Sequence, residues 1–204
     1  MMTPARKFSF SHNILPPHFY DYATTAVAQA LLGKLLVHET SAGLVAGRIV
    51  ETEAYLADDP ACHAHGGKKT PRTEVMFGAP GTAYIYLIYG VHNCFNVVTG
   101  AEGVGEAVLI RALEPVCGVE LMQTWRKQTA LHNLCSGPGK LVYAMGITRA
   151  LNALSLMEPP LYLAEPVAPP GKFNVVTATR IGISKGADLP LRFYIKDSLF
   201  VSRK

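Results

Sequence analysis

The chain lacks several features that would assign it to a special class of protein. Only 17% of its 204 residues are charged, and no internal repeat or low-complexity block stands out. No apolar run is long enough to span a membrane, and residues 1–20 contain no apolar segment followed by a small-residue cleavage site. The second absence predicts that the chain has no signal peptide. With 49% hydrophobic residues, the composition instead predicts a globular protein with a sizeable core.

Cysteine is also scarce. The four cysteines, Cys62, Cys94, Cys117 and Cys135, are irregularly spaced and form no C-x-x-C motif. Scattered thiols in a chain of this length indicate reduced, mostly buried side chains, and therefore an intracellular protein. We expect it in the cytoplasm or nucleoid if the source is bacterial and in the nucleus if it is eukaryotic.

The net charge is only moderately positive. It is +4 at pH 7, with a pI near 8.9. A mildly basic chain permits an anionic partner such as nucleic acid but does not require one. No feature of the sequence indicates an obligate oligomer or a membrane partner, so we expect a monomer.

Mixed strand and helix patterns predict an α+β fold. We expect an extended arm over residues 1–20 and a single mixed domain over residues 21–204. Residues 21–33 read as a helix with Ala26, Ala30 and Leu31 on one stripe, and residues 114–128 as another. Strand-like runs joined by turns predict an antiparallel sheet from residues 34–40, 44–56, 83–90, 93–98, 107–115, 161–164, 175–183 and 191–202.

Two carboxylates occupy a strand-like run in "RIVETEAYL". Glutamate is depleted in strands. If the run is extended, side chains alternate, so that Glu51, Glu53 and Tyr55 share one face with Ile49 and the opposite face reads as core. The face with the carboxylates is then either solvated or the wall of a site.

A lone arginine in "AVLIRALEP" is the natural partner for one of these carboxylates. A buried Arg111 must be paired, because an unpaired buried charge is very costly. One interpretation is a plain ion pair within the sheet. The other is a carboxylate that Arg111 orients and keeps ionised at neutral pH, ready to accept a proton from water.

Tyrosines and one asparagine could line a site nearby. Tyr55 and Tyr86 are either core residues or flat surfaces on which a base stacks. Tyr89, at the turn after "YIYLIY", is either an ordinary surface tyrosine or a wedge that enters nucleic acid. Asn96 is polar in an apolar strand and, if buried, needs hydrogen-bond partners, of which a ligand edge is one candidate.

The metal and phosphate signals are weak. His63 and His65 follow Cys62, but no second cluster of ligand residues exists, so we predict no metal. The segment "SGPGK" lacks the spacing of a nucleotide-binding P-loop. Backbone N–H groups and Lys140 at the start of a helix still suit a single phosphate, such as one of a DNA backbone, which makes Ser136, Gly137 and Lys140 candidate backbone contacts.

Several segments, in this order and spacing, resemble the 3-methyladenine (alkyladenine) DNA glycosylase family of base-excision repair. They are "ALLGKLL", "GRIVETEAYL", "HAHGGKKTPRTEVMF", "PGTAYIYLIYGVHNCFNVV", "AVLIRALEP", "LCSGPGKL" and "ATRIGI…PLRFY". The resemblance covers most of the chain. It implies a curved antiparallel sheet surrounded by helices, with a protruding β-hairpin, and a monofunctional enzyme that uses no metal, cofactor or lyase chemistry.

The resemblance also implies a substrate. This would be duplex DNA containing a damaged purine, such as 3-methyladenine, 7-methylguanine, hypoxanthine or ethenoadenine, which the enzyme flips out of the stack. The segment "LADDPAC" is shorter than in some relatives, and the hairpin tip and the turn "TGAEGVGE" also differ. These departures leave open which lesions are accepted.

Individual roles are carried over from the same resemblance. Glu53 would be the general base that activates a water for attack on the sugar C1′. Arg111 would help to hold that water and the carboxylate, and Glu51 would be a structural neighbour. The base pocket would comprise Tyr55, His63, Tyr86 and Asn96, where Asn96 crowds the 2-amino group of normal guanine. Tyr89 would fill the gap left in the duplex.

Two rival hypotheses follow from the residues themselves. One is a metal-dependent hydrolase that uses Cys62, His63 and His65. The other is a noncatalytic binder of nucleic acid or protein, which would keep Tyr89 and the basic residues but would not need an ionised Glu53 facing a pocket.

Overall fold

The computed structural model describes residue 10 and residues 13–88, 90–168 and 171–203. These residues form one mixed α+β domain, in which an antiparallel sheet curls into a half-barrel with helices packed against it, as predicted. The strands are β1 (Leu35–Thr40), β2 (Gly43–Tyr55), β3 (Ala83–Ile88), β4 (His92–Thr99), β5 (Glu106–Cys117), β6 (Leu161–Ala164), β7 (Val175–Ala178) and β8 (Arg192–Ile195).

The long strand β2 organises the sheet. The strand order is β3-β4-β5-β2-β1-β6, and β8 pairs with both β2 and β7. All of the strand pairs are antiparallel. The hairpin β3–β4 therefore lies at one edge of the sheet. This order places the tyrosines of β3, the arginine of β5 and the carboxylates of β2 within four consecutive strands, β3-β4-β5-β2, at one end of the sheet.

The helices are short. They are α1 (Thr24–Ala30), α2 (Val119–Arg126), α3 (Leu131–Leu134) and α4 (Pro138–Ala144). Short 3₁₀ segments in the described part of the chain include Pro17–Tyr20, His65–Gly67, Glu74–Phe77 and Arg149–Leu151. None of the helices in the described part of the chain is long and apolar enough to cross a membrane.

The predicted stripe of the first helix is wrong. Ala26 and Ala30 are exposed, whereas Val27, Ala28 and Leu31 are buried in the core. These three residues have the i, i+1, i+4 spacing of a helix face that packs against β2. Because the helix is rich in small alanines, the sequence gave no strong signal of which of its faces is buried.

Three predicted boundaries are also wrong. Residues 114–117 belong to β5 and not to a helix, and α2 begins only after Gly118, whose φ of 68° is left-handed. The runs 175–183 and 191–202 are strands only over Val175–Ala178 and Arg192–Ile195. Beyond these short strands the chain turns into loops that contact the carboxylates of β2.

The N-terminal segment is integrated into the domain where it is described. Leu15 and Tyr20 are buried in the main core, and Leu15 N–H donates to the carbonyl oxygen of Leu163 over 2.9 Å. All four cysteines are free thiols, as predicted, and only Cys117 is not buried.

Candidate active site

A cavity of about 390 Å³ opens where β3, β4 and β5 meet the loops that follow β2 and β7. Its wall is mostly aromatic and apolar, with a few polar groups, which is the usual composition of a small-molecule site. The residues that line it include Tyr55, His63, Tyr84, Tyr86, His92, Cys94, Asn96, Arg111, Gly139 and Ile181. Five of the sequence-predicted site residues therefore surround one space: Tyr55, His63, Tyr86, Asn96 and Arg111.

Glu53 is completely buried just behind this wall. Its Oε2 accepts hydrogen bonds from Arg111 Nη1 over 3.1 Å and from Tyr55 Oη over 2.9 Å, and its Oε1 accepts one from Ile181 N–H over 2.8 Å. All three donors belong to residues that line the cavity. Oε1 accepts one hydrogen bond fewer than Oε2, so it keeps more capacity to accept a proton from water.

Glu51 has different surroundings, although it is two residues away on the same strand. It accepts hydrogen bonds from Arg111 Nε over 3.3 Å and Arg192 Nη1 over 3.1 Å. It also accepts from the backbone N–H of Ser202 over 2.6 Å and the hydroxyl of Ser202 over 2.9 Å. Arg111 thus bridges both carboxylates, whereas the sequence predicted a pair with one of them. Glu51 ties β2 to β8 and to the chain end.

Burial dominates the electrostatics of Glu53. Desolvation raises the pKa of this carboxyl above its ordinary value of 4.5, and Arg111, the Ile181 N–H and the Tyr55 hydroxyl each act to lower it. The expected effect of Arg111 is therefore present, but it is outweighed by burial. A carboxylate with a raised pKa is a stronger proton acceptor than an ordinary surface glutamate.

Rings from two strands and one loop form the aromatic wall. Tyr84 and Tyr86 share a face of β3, with ring centroids 5.3 Å apart. The imidazole of His63 lies edge-on to Tyr86 at 4.6 Å, and its Nδ1 lies 3.0 Å from the hydroxyl of Tyr84. Tyr55, at the end of β2, supplies a further ring that faces the same cavity.

Arg72 fixes the protonation state of His63. Its Nη2 lies 3.3 Å from His63 Nε2, and because a guanidinium can only donate, Nε2 accepts and Nδ1 carries the proton toward Tyr84. Burial, helped by the charge of Arg72, lowers the pKa of His63 to about 4. The imidazole is therefore neutral at physiological pH and would not repel a cationic ligand.

Asn96 is buried on β4, next to Cys94 on the same face, and both line the cavity. Its Nδ2 donates to the backbone carbonyl oxygen of Tyr84 over 2.9 Å. This bond fixes the orientation of the amide at the cavity floor. The predicted need for hydrogen-bond partners is thus met by the neighbouring strand.

Two of the three predicted backbone contacts, Gly137 and Lys140, line a basic groove beside the cavity, and Ser136 adjoins them in sequence. Lys140 Nζ donates to Ser136 Oγ over 3.2 Å, at the start of α4. The groove is lined by Val91, His92, Trp125, Arg126, Lys127, Gly137, Pro138, Gly139, Lys140 and Tyr143. It shares His92, Pro138 and Gly139 with the cavity. Tyr89 lies outside the described residues, although the adjoining Val91 is 70% exposed.

The residues suggested for a metal do not come together. Cys62 Sγ points to the carbonyl oxygen of Gly105 at 3.6 Å, His63 bonds Tyr84, and His65 is exposed. Among the described residues, no group of three His, Cys, Asp or Glu side chains has the arrangement of a metal site.

Sequence reasoning missed three arginines and one backbone group. Arg72, Arg180 and Arg192 contact the wall or its carboxylates, and the N–H of Ile181 binds Glu53. Arg180 is a lone charge in the β-branched run "VVTATRIGI", which is the same signal that singled out Arg111. Arg72 lies in a loop whose path no periodicity predicts.

The fold and the site together define a class of α+β protein. In this class, a curled antiparallel sheet carries a buried carboxylate–arginine pair behind an aromatic cavity. A sequence profile of the family described as Methylpurine-DNA glycosylase (MPG) matches residues 18–199. This match spans most of the chain, and the chain belongs to that family.

The sequence of this chain aligns with those of similar proteins over nearly their whole length. A protein of Methanoculleus marisnigri is 56% identical, covering 93% of this chain and 99% of the relative. One of Carboxydothermus hydrogenoformans is 49% identical, covering 94% and 100%. One of Francisella tularensis is 47% identical, covering 89% and 94%. All three are named as candidate 3-methyladenine DNA glycosylases.

Proposed function

We propose that this protein is a DNA glycosylase that excises 3-methyladenine and other damaged purines from duplex DNA. The other substrates would be 7-methylguanine, hypoxanthine and ethenoadenine. The observation that carries the proposal is the buried Glu53, bonded to Arg111 and Ile181 behind an aromatic cavity. Family membership supports the same reaction.

The cavity suits a flipped purine. A base inside a duplex cannot be reached, so the nucleotide must rotate out of the stack. Tyr55 and Tyr86 offer electron-rich faces that attract an electron-poor or cationic alkylated base. The neutral His63 adds a third ring without a repelling charge. Asn96 would crowd the 2-amino group of an undamaged guanine.

The reaction is a hydrolysis. A water that enters from the cavity attacks the sugar C1′, and the bond from C1′ to the base nitrogen breaks. The bonding electron pair leaves with the base, so a cationic 3-methyladenine or 7-methylguanine departs as a neutral molecule. Hypoxanthine and ethenoadenine are neutral in DNA, so each takes up one proton from solvent at a ring nitrogen to leave as the free base. Glu53 takes the proton of the water, and Arg111 holds the carboxylate in place. The products are the free base and an uncleaved abasic site, so the enzyme is monofunctional.

DNA would lie across the basic groove. Arg126, Lys127 and Lys140 line it, and phosphate contacts by such side chains provide most sequence-independent affinity. Because the groove shares Pro138 and Gly139 with the cavity, a strand held there would present its neighbouring nucleotide to the wall of rings. Tyr89 would fill the gap in the duplex, and the enzyme would act as a monomer.

The test is base release by Glu53→Gln under single-turnover conditions, on one duplex carrying each lesion in turn. Loss of a general base typically lowers the rate by about 10²–10⁴-fold. We expect such a loss of release with retained binding to lesion-containing DNA. Below the raised pKa of Glu53, the wild-type rate should also fall as the carboxylate becomes protonated.

The matched control is Glu114→Gln, which removes a partly exposed carboxylate that pairs with Arg48 over 3.4 Å. It should release bases at the wild-type rate. Release by Glu53→Gln at the wild-type rate would show that Glu53 is not the base.

A further inference from the structure

A buried ion pair joins the long loop after β2 to the loop after β7. The side chains of Asp59 and Arg180 are 1% and 0% exposed. Arg180 Nη2 donates to Asp59 Oδ1 over 2.8 Å, and Nη1 donates to Asp59 Oδ2. Desolvating two charges offsets most of the attraction between them, so such a pair is weak evidence for a purely stabilising role.

The same guanidinium contacts the strand that carries Glu53. Its Nη1 also donates to the carbonyl oxygen of Ala54 over 3.0 Å, between Glu53 and Tyr55. Its central carbon lies 4.6 Å from the centroid of the Tyr55 ring. Arg180 therefore touches one ring of the cavity wall and the backbone next to the buried carboxylate.

The residue after Arg180 completes the connection. Ile181 N–H donates to Glu53 Oε1 over 2.8 Å, and Ile181 itself lines the cavity. This hydrogen bond stabilises the carboxylate and lowers the pKa of Glu53 against the larger effect of burial. The segment from residue 179 to residue 183 is not part of a strand, so side chains hold it in place. Arg192 Nε donates to the carbonyl oxygen of Thr179 over 2.8 Å, and Arg180, next to the Ile181 N–H, is held by Asp59 and Ala54.

We propose that Arg180, oriented by Asp59, is a positioning residue that fixes the Ile181 N–H against Glu53 and the Tyr55 ring in the cavity wall. Its catalytic consequence rests on the proposed glycosylase function. The geometric part does not, because the hydrogen bond from Ile181 to Glu53 can be observed without any substrate.

The kinetic experiment uses Arg180→Lys, which keeps the positive charge but loses the planar fork that binds Asp59 and Ala54 together. Misplacing a catalytic group by about 1 Å can lower a rate by about 100-fold. We expect a loss of this order in single-turnover base release. The acid limb of the pH–rate profile should move to higher pH, because Glu53 loses a bond that lowered its pKa.

The other titratable and charged groups near Glu53 are Arg111, Tyr55 and Cys94, together with Glu51, which shares Arg111, and Arg192, which lies opposite Glu53 on β8. The substitution leaves all of them in place. The control is Leu163→Ala, in the buried strand β6 at the far end of the sheet, which lowers stability without touching the pair. If Arg180→Lys has the rate and acid limb of this control, Arg180 is merely structural and the proposal is overturned.

A second measurement is the amide signal of Ile181 in ¹⁵N–¹H NMR spectra. In the wild type it should shift with pH as Glu53 titrates, and Glu53→Gln should abolish that shift. In Arg180→Lys the shift should be lost or strongly reduced, and an unchanged shift would overturn the proposal. If the wild type releases no base, the proposed function fails, whereas this measurement still decides the positioning role.

Gly186→Ala provides a milder variant in case Arg180→Lys does not fold. Gly186 has a left-handed φ of 54°, and a Cβ there would lie 3.0 Å from Asp59 Oδ1, 3.1 Å from Leu189 Cδ1 and 3.3 Å from Arg180 Nη2. The pair must therefore move by a few tenths of an ångström while both charges remain, and the variant also carries the backbone strain of an alanine at positive φ. We expect the same changes at a smaller size, with a rate loss of about 10-fold. An unchanged Ile181 signal and acid limb would contradict the proposal.

Discussion

Glu51 and Glu53 are both fully buried, yet their networks predict different effects on stability when each is replaced. Glu51 accepts four hydrogen bonds and is a partner of both Arg111 and Arg192. Removing its charge would leave Arg192 buried without a carboxylate. Glu53 shares Arg111 with Glu51, so Arg111 stays paired when Glu53 is replaced.

We therefore expect Glu51→Gln to lower the free energy of unfolding by about 3 kcal/mol, as for a broken buried ion pair. Glu53→Gln should change it by no more than about 1 kcal/mol, or raise it. Urea denaturation at pH 7 measures both values. A loss in Glu53→Gln as large as that in Glu51→Gln would show that Glu53 is held for stability and not for chemistry.

The pH dependence of these values has a definite sign. Because burial raises the folded-state pKa of Glu53, the folded protein favours the protonated carboxyl. Its contribution to stability is present below the ordinary value of 4.5 and is lost as the pH rises through the folded-state pKa. The stability of Glu53→Gln relative to the wild type should therefore increase across that interval.

At the residue scale, the sequence predicted that Arg111 has a carboxylate partner, but it did not predict the wider network of hydrogen bonds and ring contacts around that pair. A lone Arg111 in an apolar run identified the need for a carboxylate, and alternation put Glu53 and Tyr55 on one face. It did not predict that Arg111 bridges two carboxylates or that Arg180 packs against Tyr55. The first contact depends on a register irregularity between β2 and β5 and the second on the path of a loop, and side-chain periodicity specifies neither.

At the scale of elements, Gly118 marks the boundary between β5 and α2 that the sequence placed too early. Its φ is 68°, and a Cβ there would lie 2.4 Å from the carbonyl oxygen of Leu44. A backbone carbonyl cannot move aside as the end of a flexible side chain can, so this contact excludes a Cβ. The glycine thus permits both the sharp reversal after β5 and the close approach of β2.

Gly118→Ala should lower the free energy of unfolding by about 2–4 kcal/mol, from the left-handed conformation and the backbone clash together. Gly103→Ala is the control, because Gly103 has a φ of 89° but no atom within 4 Å of the added Cβ. It should lose only about 1–2 kcal/mol. Equal midpoints of urea denaturation for the two variants would contradict the close approach.

The strand β2 shows why alternation was only partly right. Its pairing with β5 has register irregularities between Ile49 and Thr52. Ile49 and Ala54 consequently lie in the same core cluster, although strict alternation assigned them to opposite faces. A bulge of this kind re-aims side chains, and here it lies opposite Arg111, where both carboxylates can be reached. No residue type in "RIVETEAYL" predicts this bulge.

At the scale of the whole molecule, the modest net charge of +4 conceals a local concentration of cations. Arg126, Lys127 and Lys140 line one groove, no acidic residue is among the residues that line it, and the groove adjoins the cavity. A partner that is itself a polyanion fits this distribution. Net charge alone left the partner open, because it does not report where the folded chain collects its charges.

This distribution predicts the salt dependence of DNA binding. Each phosphate contact contributes about −0.9 to the slope of log K against log salt on duplex DNA. The double variant Lys127→Gln/Lys140→Gln should therefore bind lesion-containing duplex with a slope shallower by about 2. Lys172→Gln, in a separate surface hollow, is the control and should keep the wild-type slope. Fluorescence anisotropy at several salt concentrations measures all three. Identical slopes for the double variant and the wild type would show that DNA does not run along this groove. Single-turnover base release at saturating protein is measured alongside. A shallower slope with an unchanged rate of base release would show that the groove positions DNA and takes no part in the chemistry at Glu53.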